Sequence, residues 1–204
     1  MRQAALVAAL RRAQVLGHIG AGDIDNYIQH AQAHLQAAQP AQNSKWCDLG
    51  SGGGLPGLVV AAERPDLELT LLDRSVVRTQ FLADALRDIG AEENVEVVTS
   101  DASELAHHPS YRALYDGVFS RSFGPPSVTV ECAVALLSLG GRLVVSEPPE
   151  PAEDRWPTQP LRTMGLDHPT VIEGPPRFVS MSLVEFPDIG VPRKWTRISK
   201  NPLF

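Results

Sequence analysis

The sequence lacks any apolar run close to the roughly 20 residues that a membrane-spanning helix needs. An apolar stretch near the start, residues 4–10, is followed at once by Arg11 and Arg12, a pattern that disfavours a signal peptide. We therefore expect a protein without membrane association.

Cysteine is scarce as well, and Cys47 and Cys132 lie far apart in apolar surroundings. Neither these cysteines nor the six histidines have the spacing of a metal site, so no metal is expected. The pattern favours two buried free thiols in a protein of the reducing cytoplasm.

Positive charge is also low, because 18 lysines and arginines face 24 aspartates and glutamates, which gives a net charge of -6. This balance disfavours a nucleic-acid partner, since phosphate binding needs a basic face. The charge is uneven, however, and residues 187–204 contain one acid and four basic side chains, which are Arg193, Lys194, Arg197 and Lys200. This tail could contact phosphates or could be a solvated chain end, and the sequence leaves both open.

Glycine is concentrated in one loop, with five glycines in the eight residues 50–57. A short apolar run that ends at Leu49 precedes the loop, and a helix-like run, residues 58–63, follows it. Glycines allow a sharp turn and let a ligand approach the backbone closely. The start of the next helix presents unpaired N–H groups to polar or anionic ligand groups. The pattern predicts a ligand-binding strand, loop and helix.

Two cofactor classes use such a loop. Residues 52–57 fit the dinucleotide fingerprint G-x-G-x-x-G, which is weak evidence alone. The loop also reads Asp48-x-Gly50-x-Gly52-x-Gly54, which resembles the first motif of the class I S-adenosylmethionine methyltransferases. An acid at position 48 has no role in pyrophosphate binding, whereas in the methyltransferases it helps to hold the loop and the amino-acid end of the cofactor. We therefore predict S-adenosylmethionine as the cofactor and disfavour a nicotinamide oxidoreductase.

Helical and strand patterns alternate along most of the chain. Helices are predicted at 3–16 and from an N-cap at Asp23, in an N-terminal segment, 1–42, that packs on a cofactor-binding domain, 43–204. The predicted strands are 46–49, 67–72, 95–99, 117–120, 142–145 and 178–186, and the helices between them include 77–89 and 128–139, the latter closed by Gly140 and Gly141. This alternation predicts an α/β fold of the Rossmann-like class I methyltransferase type. We expect a parallel-dominated seven-stranded sheet with helices on both faces, plus the N-terminal helices.

Prolines are frequent late in the chain, with eight between residues 147 and 176. Regular structure cannot run through such a segment, although a short helix at 155–164, capped by Gly165, is expected within it. Whether this segment becomes ordered only with substrate is left open.

Polar residues follow several of the predicted strands, where open α/β sheets bind their ligands. Asp73 is expected to accept hydrogen bonds from ribose hydroxyls, to cap the next helix, or both. Asp101 could accept from an adenine amine or act only as a cap, with Ala102 and Ser103 beside it. Arg121 would face the methyl-transfer site, with a structural salt bridge as the alternative. The cofactor-binding residues expected from these patterns are Asp48, Gly50, Ser51, Gly52, Gly54, Asp73, Arg74, Asp101, Ala102, Ser103 and Arg121.

Four stretches together resemble the RsmG (GidB) family. They are Asp-Leu-Gly-Ser-Gly-Gly-Gly-Leu-Pro-Gly at 48–57, Thr-Leu-Leu-Asp at 70–73, Arg78-x-x-Phe81-Leu82, and Tyr-Asp-Gly-Val-Phe-Ser-Arg-Ser-Phe at 115–123. Members methylate N7 of a guanine in small-subunit ribosomal RNA with S-adenosylmethionine. The resemblance implies that activity here, with ribosomal RNA or the small ribosomal subunit as partner. It also implies a catalytic role for Arg121 and cofactor contacts at Gly50, Leu55, Ala102, Ser103 and Arg121.

The expected mechanism needs no general base, because guanine N7 carries a lone pair and no proton. Phe123 is expected to stack on the base, and Arg193 and Lys194 are expected to contact polar or phosphate groups. The chain departs from the family pattern at Ala33 and at Glu147, where the family usually has an acid and a lysine. Two alternatives therefore stay open: a methyltransferase of the same fold that acts on a small molecule or another RNA, and a non-catalytic cofactor-binding module. A monomer is expected.

Overall fold

The computed structural model describes residues 2–152 and 154–204. Within them lie, in chain order, α1 (Arg2–Val15), α2 (Ile24–Ala38), β1 (Lys45–Leu49), α3 (Gly57–Glu63), β2 (Glu68–Asp73), α4 (Val76–Ile89), β3 (Val95–Thr99), α5 (Ala102–Leu105), β4 (Tyr115–Ser120), α6 (Pro126–Val134), β5 (Leu137–Ser146), α7 (Thr158–Thr163), β6 (Thr170–Ile172), β7 (Phe178–Ser182) and α8 (Trp195–Ile198).

The seven strands form one sheet in the order β3-β2-β1-β4-β5-β7-β6. Neighbours from β3 to β5 pair in parallel, whereas β7 runs antiparallel to both β5 and β6. The chain reverses its direction of progress across the sheet between β1 and β4, and a crevice forms at such a switch point beside the carboxyl ends of the strands. The predicted parallel-dominated, seven-stranded sheet is confirmed.

Apolar residues on successive positions of the central strands face opposite sides of the sheet. Trp46 packs with α1 to α4 on one side, whereas Cys47 and Leu49 pack with α6 on the other. Both cysteines are buried free thiols, and burial raises the pKa of Cys132 to about 12. The sheet is therefore covered on both faces, as a parallel sheet requires.

The N-terminal helices add their apolar faces to the core. Leu6 and Leu10 of α1 are fully buried in the same cluster as Leu82 of α4. Asp23 caps α2 as predicted, because its side chain accepts a hydrogen bond from the backbone N–H of Asp25 at 2.7 Å. His34 of α2 donates from Nε2 to the carbonyl oxygen of Val144 at 2.9 Å, which ties α2 to β5. The division of the chain at residue 42 stays a prediction.

The predicted end of the helix 128–139 was wrong. The helix α6 ends at Val134, and β5 begins at Leu137 and includes both glycines that were expected to close the helix. Gly140 has φ +83°, and a Cβ on Gly141 would lie 2.8 Å from the carbonyl oxygen of Tyr115. The pairing of β4 with β5 is irregular at Tyr115, so the two glycines accommodate a bulge.

The proline-rich segment is more ordered than expected. It contains β6, which was not predicted, and α7, which is shorter than the predicted 155–164. Gly165 follows α7 with φ +81°, as expected of a glycine after a helix. The last strand ends at Ser182 and not at residue 186, because the N–H groups of Val184 and Glu185 both bond to the carbonyl of Gly165.

Candidate functional site

Three recesses meet at the carboxyl ends of the strands. We call them the acidic recess (about 170 Å³, lined by Asp73, Asp101 and Trp195 among others), the glycine recess (about 270 Å³, lined by residues 50–53, His18 and Arg121 among others) and the Glu147 recess (about 420 Å³, lined by Glu147, Arg155 and His30 among others). Ser122 lines all three, and Arg121 lines the last two. They therefore form one continuous crevice of a size that suits a small-molecule ligand.

The glycine loop that follows β1 takes conformations that other residues rarely adopt. Gly50, Gly52 and Gly54 have φ values of +75°, +55° and +94°, and a Cβ on Gly50 would lie 2.6 Å from Cδ2 of Phe123. The N–H groups of Gly50 and Ser51 both donate to the carbonyl of Leu72 at 2.9 Å, which holds the loop against the end of β2. The loop is thus a backbone surface that has room for a ligand only because side chains are absent.

Asp48 holds this loop from behind. Its carboxylate is buried, and Oδ2 accepts a hydrogen bond from the N–H of Gly57 at 3.0 Å, which joins the end of β1 to the start of α3. Burial raises the pKa of Asp48 to about 7. Ser51 also turns inward, since its Oγ donates to the carbonyl of Asp48 at 3.0 Å. Asp48 lines none of the three recesses, so its contacts are those of a residue that positions the loop.

Asp73 faces the acidic recess at the end of β2. Its Oδ2 accepts from the N–H of Gly52 at 2.9 Å, and its Oδ1 accepts from the N–H of Ser75 at 2.9 Å. The predicted ribose contact is compatible with this geometry and stays a prediction, because each carboxylate oxygen can accept more than one hydrogen bond. The predicted cap role is wrong. Ser75, and not Asp73, is the N-cap of α4.

Asp101 caps the short helix α5. Its Oδ1 accepts from both the N–H and the Oγ of Ser103, at 2.8 and 2.6 Å. Asp101 and Ala102 line the acidic recess, whereas Ser103 is buried with its polar groups on Asp101. Asp101 thus caps a helix, which was the alternative role predicted for it, and it also lines the acidic recess.

Arg121 lies where the glycine recess and the Glu147 recess join. Its guanidinium lies over the ring of Tyr27, 5.2 Å from the ring centroid. Within residues 2–152 and 154–204 it makes no salt bridge, so the predicted structural ion pair is not found there. Burial lowers the pKa of Arg121, which still stays charged near neutral pH. A partly buried guanidinium that pairs with no carboxylate of the described chain suits an anionic ligand group.

An aromatic cluster lies at the mouth of the acidic recess. Trp195 lies edge-on to Phe123, with ring centroids 6.2 Å apart, and the Arg74 guanidinium lies 5.5 Å from the centroid of Trp195. Phe123 also lines the Glu147 recess, and its predicted stacking on a base stays a prediction. Trp195 was not predicted, because nothing in the tail sequence indicates where the tail folds.

The tail itself is anchored by Arg193. Its backbone N–H and Nε donate to Oε1 of the buried Glu131 at 2.9 and 2.7 Å, and its Nη2 donates to Oε2 at 2.7 Å. These contacts bring Arg193 away from the recesses and favour a structural role over the predicted phosphate contact. Lys194 is exposed and directly precedes α8, which begins at Trp195. Its predicted contact with a phosphate stays a prediction.

Sequence reasoning also missed the loop between α1 and α2. His18 and Ile19 line the glycine recess, and a Cβ on Gly53 would lie 2.5 Å from Cγ2 of Ile19. Tyr27 of α2 also lines this recess and was not predicted as a site residue. The apolar periodicity of a helix identifies its buried face, but it does not show which of those residues meet a cavity.

Among the described residues, no helix has the length and apolar character that crossing a membrane would demand. In the same part of the chain, no group of three or more histidines, cysteines or acids is placed to hold a metal ion.

Comparison with known proteins identifies the relatives of this chain. The family model described as rRNA small subunit methyltransferase G (GidB) matches residues 11–154. A protein of Lactobacillus delbrueckii subsp. bulgaricus, named ribosomal RNA small subunit methyltransferase G, is 35% identical over 114 residues, which are 56% of this chain and 47% of that protein. A protein of the same name from Synechococcus elongatus is 28% identical over 177 residues, 85% of this chain and 69% of the relative. The chain spans about half the length of the first of these relatives.

Two solved structures with the same fold are named as O-methyltransferases. An O-methyltransferase from Thermotoga maritima superposes with a TM-score of 0.62 at 13% identity, covering 88% of this chain and 71% of that one. A putative O-methyltransferase from Klebsiella pneumoniae gives 0.62 at 16% identity, covering 89% and 90%. The fold is therefore the Rossmann-like α/β fold of the class I methyltransferases, as predicted.

Proposed function

The chain belongs to the rRNA small subunit methyltransferase G family, and we propose that it transfers a methyl group from S-adenosylmethionine to N7 of a guanine in small-subunit ribosomal RNA. The observation that carries this proposal is the continuous crevice, in which a glycine loop, an acid at the end of β2 and a guanidinium face one space; within residues 2–152 and 154–204 this guanidinium pairs with no carboxylate. Family membership supports the ribosomal substrate, and the crevice supports the cofactor.

The residues of the crevice fit S-adenosylmethionine. The backbone of Gly50 and Gly52 gives close approach, and a Cβ at position 50 would fill space beside Phe123. Asp73 would accept hydrogen bonds from the ribose, while Asp101 and Ala102 would border the adenine. Arg121 would pair with the carboxylate of the amino-acid end. The cofactor, when bound, supplies a methyl group activated by a sulfonium.

The chain contributes positioning and electrostatics to the transfer. Guanine N7 offers a lone pair, so no residue needs to remove a proton from it. This agrees with the crevice, because burial lowers the pKa of His30 to about 4 and makes this histidine a weak base. Phe123 would stack on the base, and Lys194 would contact a phosphate.

The proposal is tested by methyl transfer from labelled S-adenosylmethionine to small ribosomal subunits that lack the guanine modification. Label at N7 of a single guanine is the expected result. No label, together with tight binding of S-adenosylhomocysteine in calorimetry, would overturn the ribosomal substrate and favour another acceptor. That second candidate is motivated by Glu147, which lines the Glu147 recess where the family usually has a lysine. A cytoplasmic location, which the ribosomal substrate supports, and a monomeric state stay part of the proposal.

A further inference from the structure

The Glu147 recess contains a buried carboxylate that the proposed cofactor site does not use. The side chain of Glu147 is only 2% exposed, and its Oε1 accepts a hydrogen bond from Nε of Arg155 at 3.0 Å. Its other oxygen, Oε2, has no hydrogen-bond partner in residues 2–152 and 154–204. The residue thus presents acceptor capacity, with guanidinium N–H donors directly beside it.

Two other buried polar atoms belong to residues of the same recess. The Oγ of Ser120 has no partner among the described residues, although Ser120 is only 1% exposed. Nδ1 of His30 is likewise without a partner there, while its Nε2 lies 3.0 Å from Oγ of Ser146. Buried polar groups are normally hydrogen-bonded, and each exception calls for an explanation. Both atoms are too buried to contact a ligand directly, so they show only that the wall of this recess is polar.

The carboxylate acceptor of Glu147 and the guanidinium donor of Arg155 lie side by side, and the nucleobases differ in how well they match this pair. The Watson–Crick edge of guanine carries two adjacent N–H donors, at N1 and N2, next to the acceptor O6. Adenine and cytosine each place an acceptor where guanine has N1–H, and a carboxylate would repel it. Uracil has only one N–H on this edge. A carboxylate that is paired with an arginine therefore matches guanine best.

We propose that Glu147 and Arg155 bind the Watson–Crick edge of the acceptor guanine, Glu147 accepting from N1–H and N2–H and Arg155 donating to O6. This inference rests on the proposed function and identifies how that same site selects its base. The Watson–Crick edge and the N7 edge of guanine are separate edges that meet at O6, so hydrogen bonds to N1–H and N2–H leave N7 free. A guanine held by Glu147 can therefore present N7 toward Arg121 and Ser122, where the Glu147 recess meets the glycine recess.

The test measures equilibrium binding of three nucleotides to protein saturated with S-adenosylhomocysteine. GMP is expected to bind about tenfold or more tightly than IMP, which lacks the N2 amine, and than AMP, because a lost hydrogen bond to a charged group costs at least that factor. Glu147→Gln should abolish the preference for GMP over IMP. The matched control is Glu173→Gln, which removes a carboxylate that is 71% exposed and paired with Arg177 outside the recess; this variant should keep the preference.

Each outcome of these measurements either supports or overturns the inference. Equal binding of GMP and IMP by the unaltered protein, no detectable GMP binding, or a preference that survives Glu147→Gln would overturn the inference. The comparison of nucleotides needs no variant, so it still decides if Glu147→Gln fails to fold. Arg155→Gln gives a second variant, which should weaken GMP and IMP alike because both carry O6, and should weaken AMP less. If small subunits are not methylated but the nucleotide preference holds and depends on Glu147, the ribosomal substrate fails and the recognition of guanine stands. If small subunits are methylated at a rate that does not depend on Glu147, the ribosomal substrate stands and the recognition of guanine by Glu147 fails.

Discussion

The carboxylate of Asp73 accepts a hydrogen bond from the backbone N–H of Gly52 at 2.9 Å. The acid that ends β2 thereby holds the loop that ends β1, and Asp48 holds the other end of that loop through the N–H of Gly57. A loop rich in glycine loses much conformational entropy when it becomes ordered. Two buried carboxylates that bond to its backbone N–H groups offset this cost and keep the crevice open in one shape.

Replacing Asp73 should weaken cofactor binding in two ways. Asp73→Ala removes the expected acceptor for the ribose and the acceptor for the N–H of Gly52. We expect the affinity for S-adenosylhomocysteine to fall by about tenfold to a hundredfold, since each hydrogen bond to a charged group contributes about 1.5–3 kcal/mol. Calorimetry measures this affinity, and Asp84→Asn, on the exposed side of α4, is the control. Unchanged affinity would contradict the placement of the ribose.

Arg121 should affect both cofactor affinity and transfer. Arg121→Gln removes a guanidinium that no carboxylate of the described chain neutralises, so the anionic end of the cofactor loses its counter-charge. We expect the affinity for S-adenosylhomocysteine, measured as its dissociation constant, to fall at least about tenfold. Arg121→Lys should restore only part of it, because an ammonium lacks the planar fork that matches a carboxylate and stacks on Tyr27.

Arg87 provides the matched control for this prediction. It is an exposed arginine in the last turn of α4, so Arg87→Gln changes the net charge by the same amount away from the crevice. A loss of affinity as large in Arg87→Gln as in Arg121→Gln would show that only overall charge matters.

Trp195 should report cofactor binding by its fluorescence. Its ring borders the acidic recess, whereas Trp46 is buried in the core. Adding S-adenosylhomocysteine should change the emission of the protein, and Trp195→Phe should abolish that change. Trp156→Phe should retain it, because Trp156 is not among the residues that line the acidic recess. A signal that survives Trp195→Phe would place the cofactor elsewhere.

The cofactor half of this site could be predicted from the sequence because it is local. The glycine loop, Asp73 and Asp101 each follow a strand directly, and parallel strands bring their carboxyl ends to one edge. Trp195 and Tyr27 could not be predicted, since their positions depend on how the tail and α2 pack against distant elements. The boundary between α6 and β5 was predicted wrongly for another reason. The largely apolar run 135–139 has no periodicity that separates helix from strand.

Asp48 should make folding stability depend on pH. Its pKa is about 7 in the folded protein and about 3.9 in an unfolded chain, so the folded state binds more protons between these values. The free energy of unfolding should therefore decrease as pH rises through this window, by up to about 1.4 kcal/mol per pH unit. Asp48→Asn keeps an acceptor for the N–H of Gly57 without titrating. Chemical denaturation from about pH 4 to pH 7 should show the difference in stability between variant and unaltered protein changing in favour of the variant. A constant difference would contradict the raised pKa.

His34 should have the opposite effect in acid. Burial lowers its pKa to about 3, against an ordinary value of 6.5, so the unfolded chain binds the proton first as pH falls. The stability that neutral His34 contributes is complete above about pH 6.5 and is lost progressively down to about pH 3, at up to about 1.4 kcal/mol per pH unit. His34→Gln retains an N–H that can donate to the carbonyl of Val144, yet it cannot take up a proton. Acid unfolding of this variant should begin at lower pH than that of the unaltered protein, whereas His168→Gln, at an exposed position, should change nothing. If both variants unfold at the same pH as the unaltered protein, His34 is not the group that destabilises the fold in acid, and His30, whose pKa is also lowered, becomes the residue to replace.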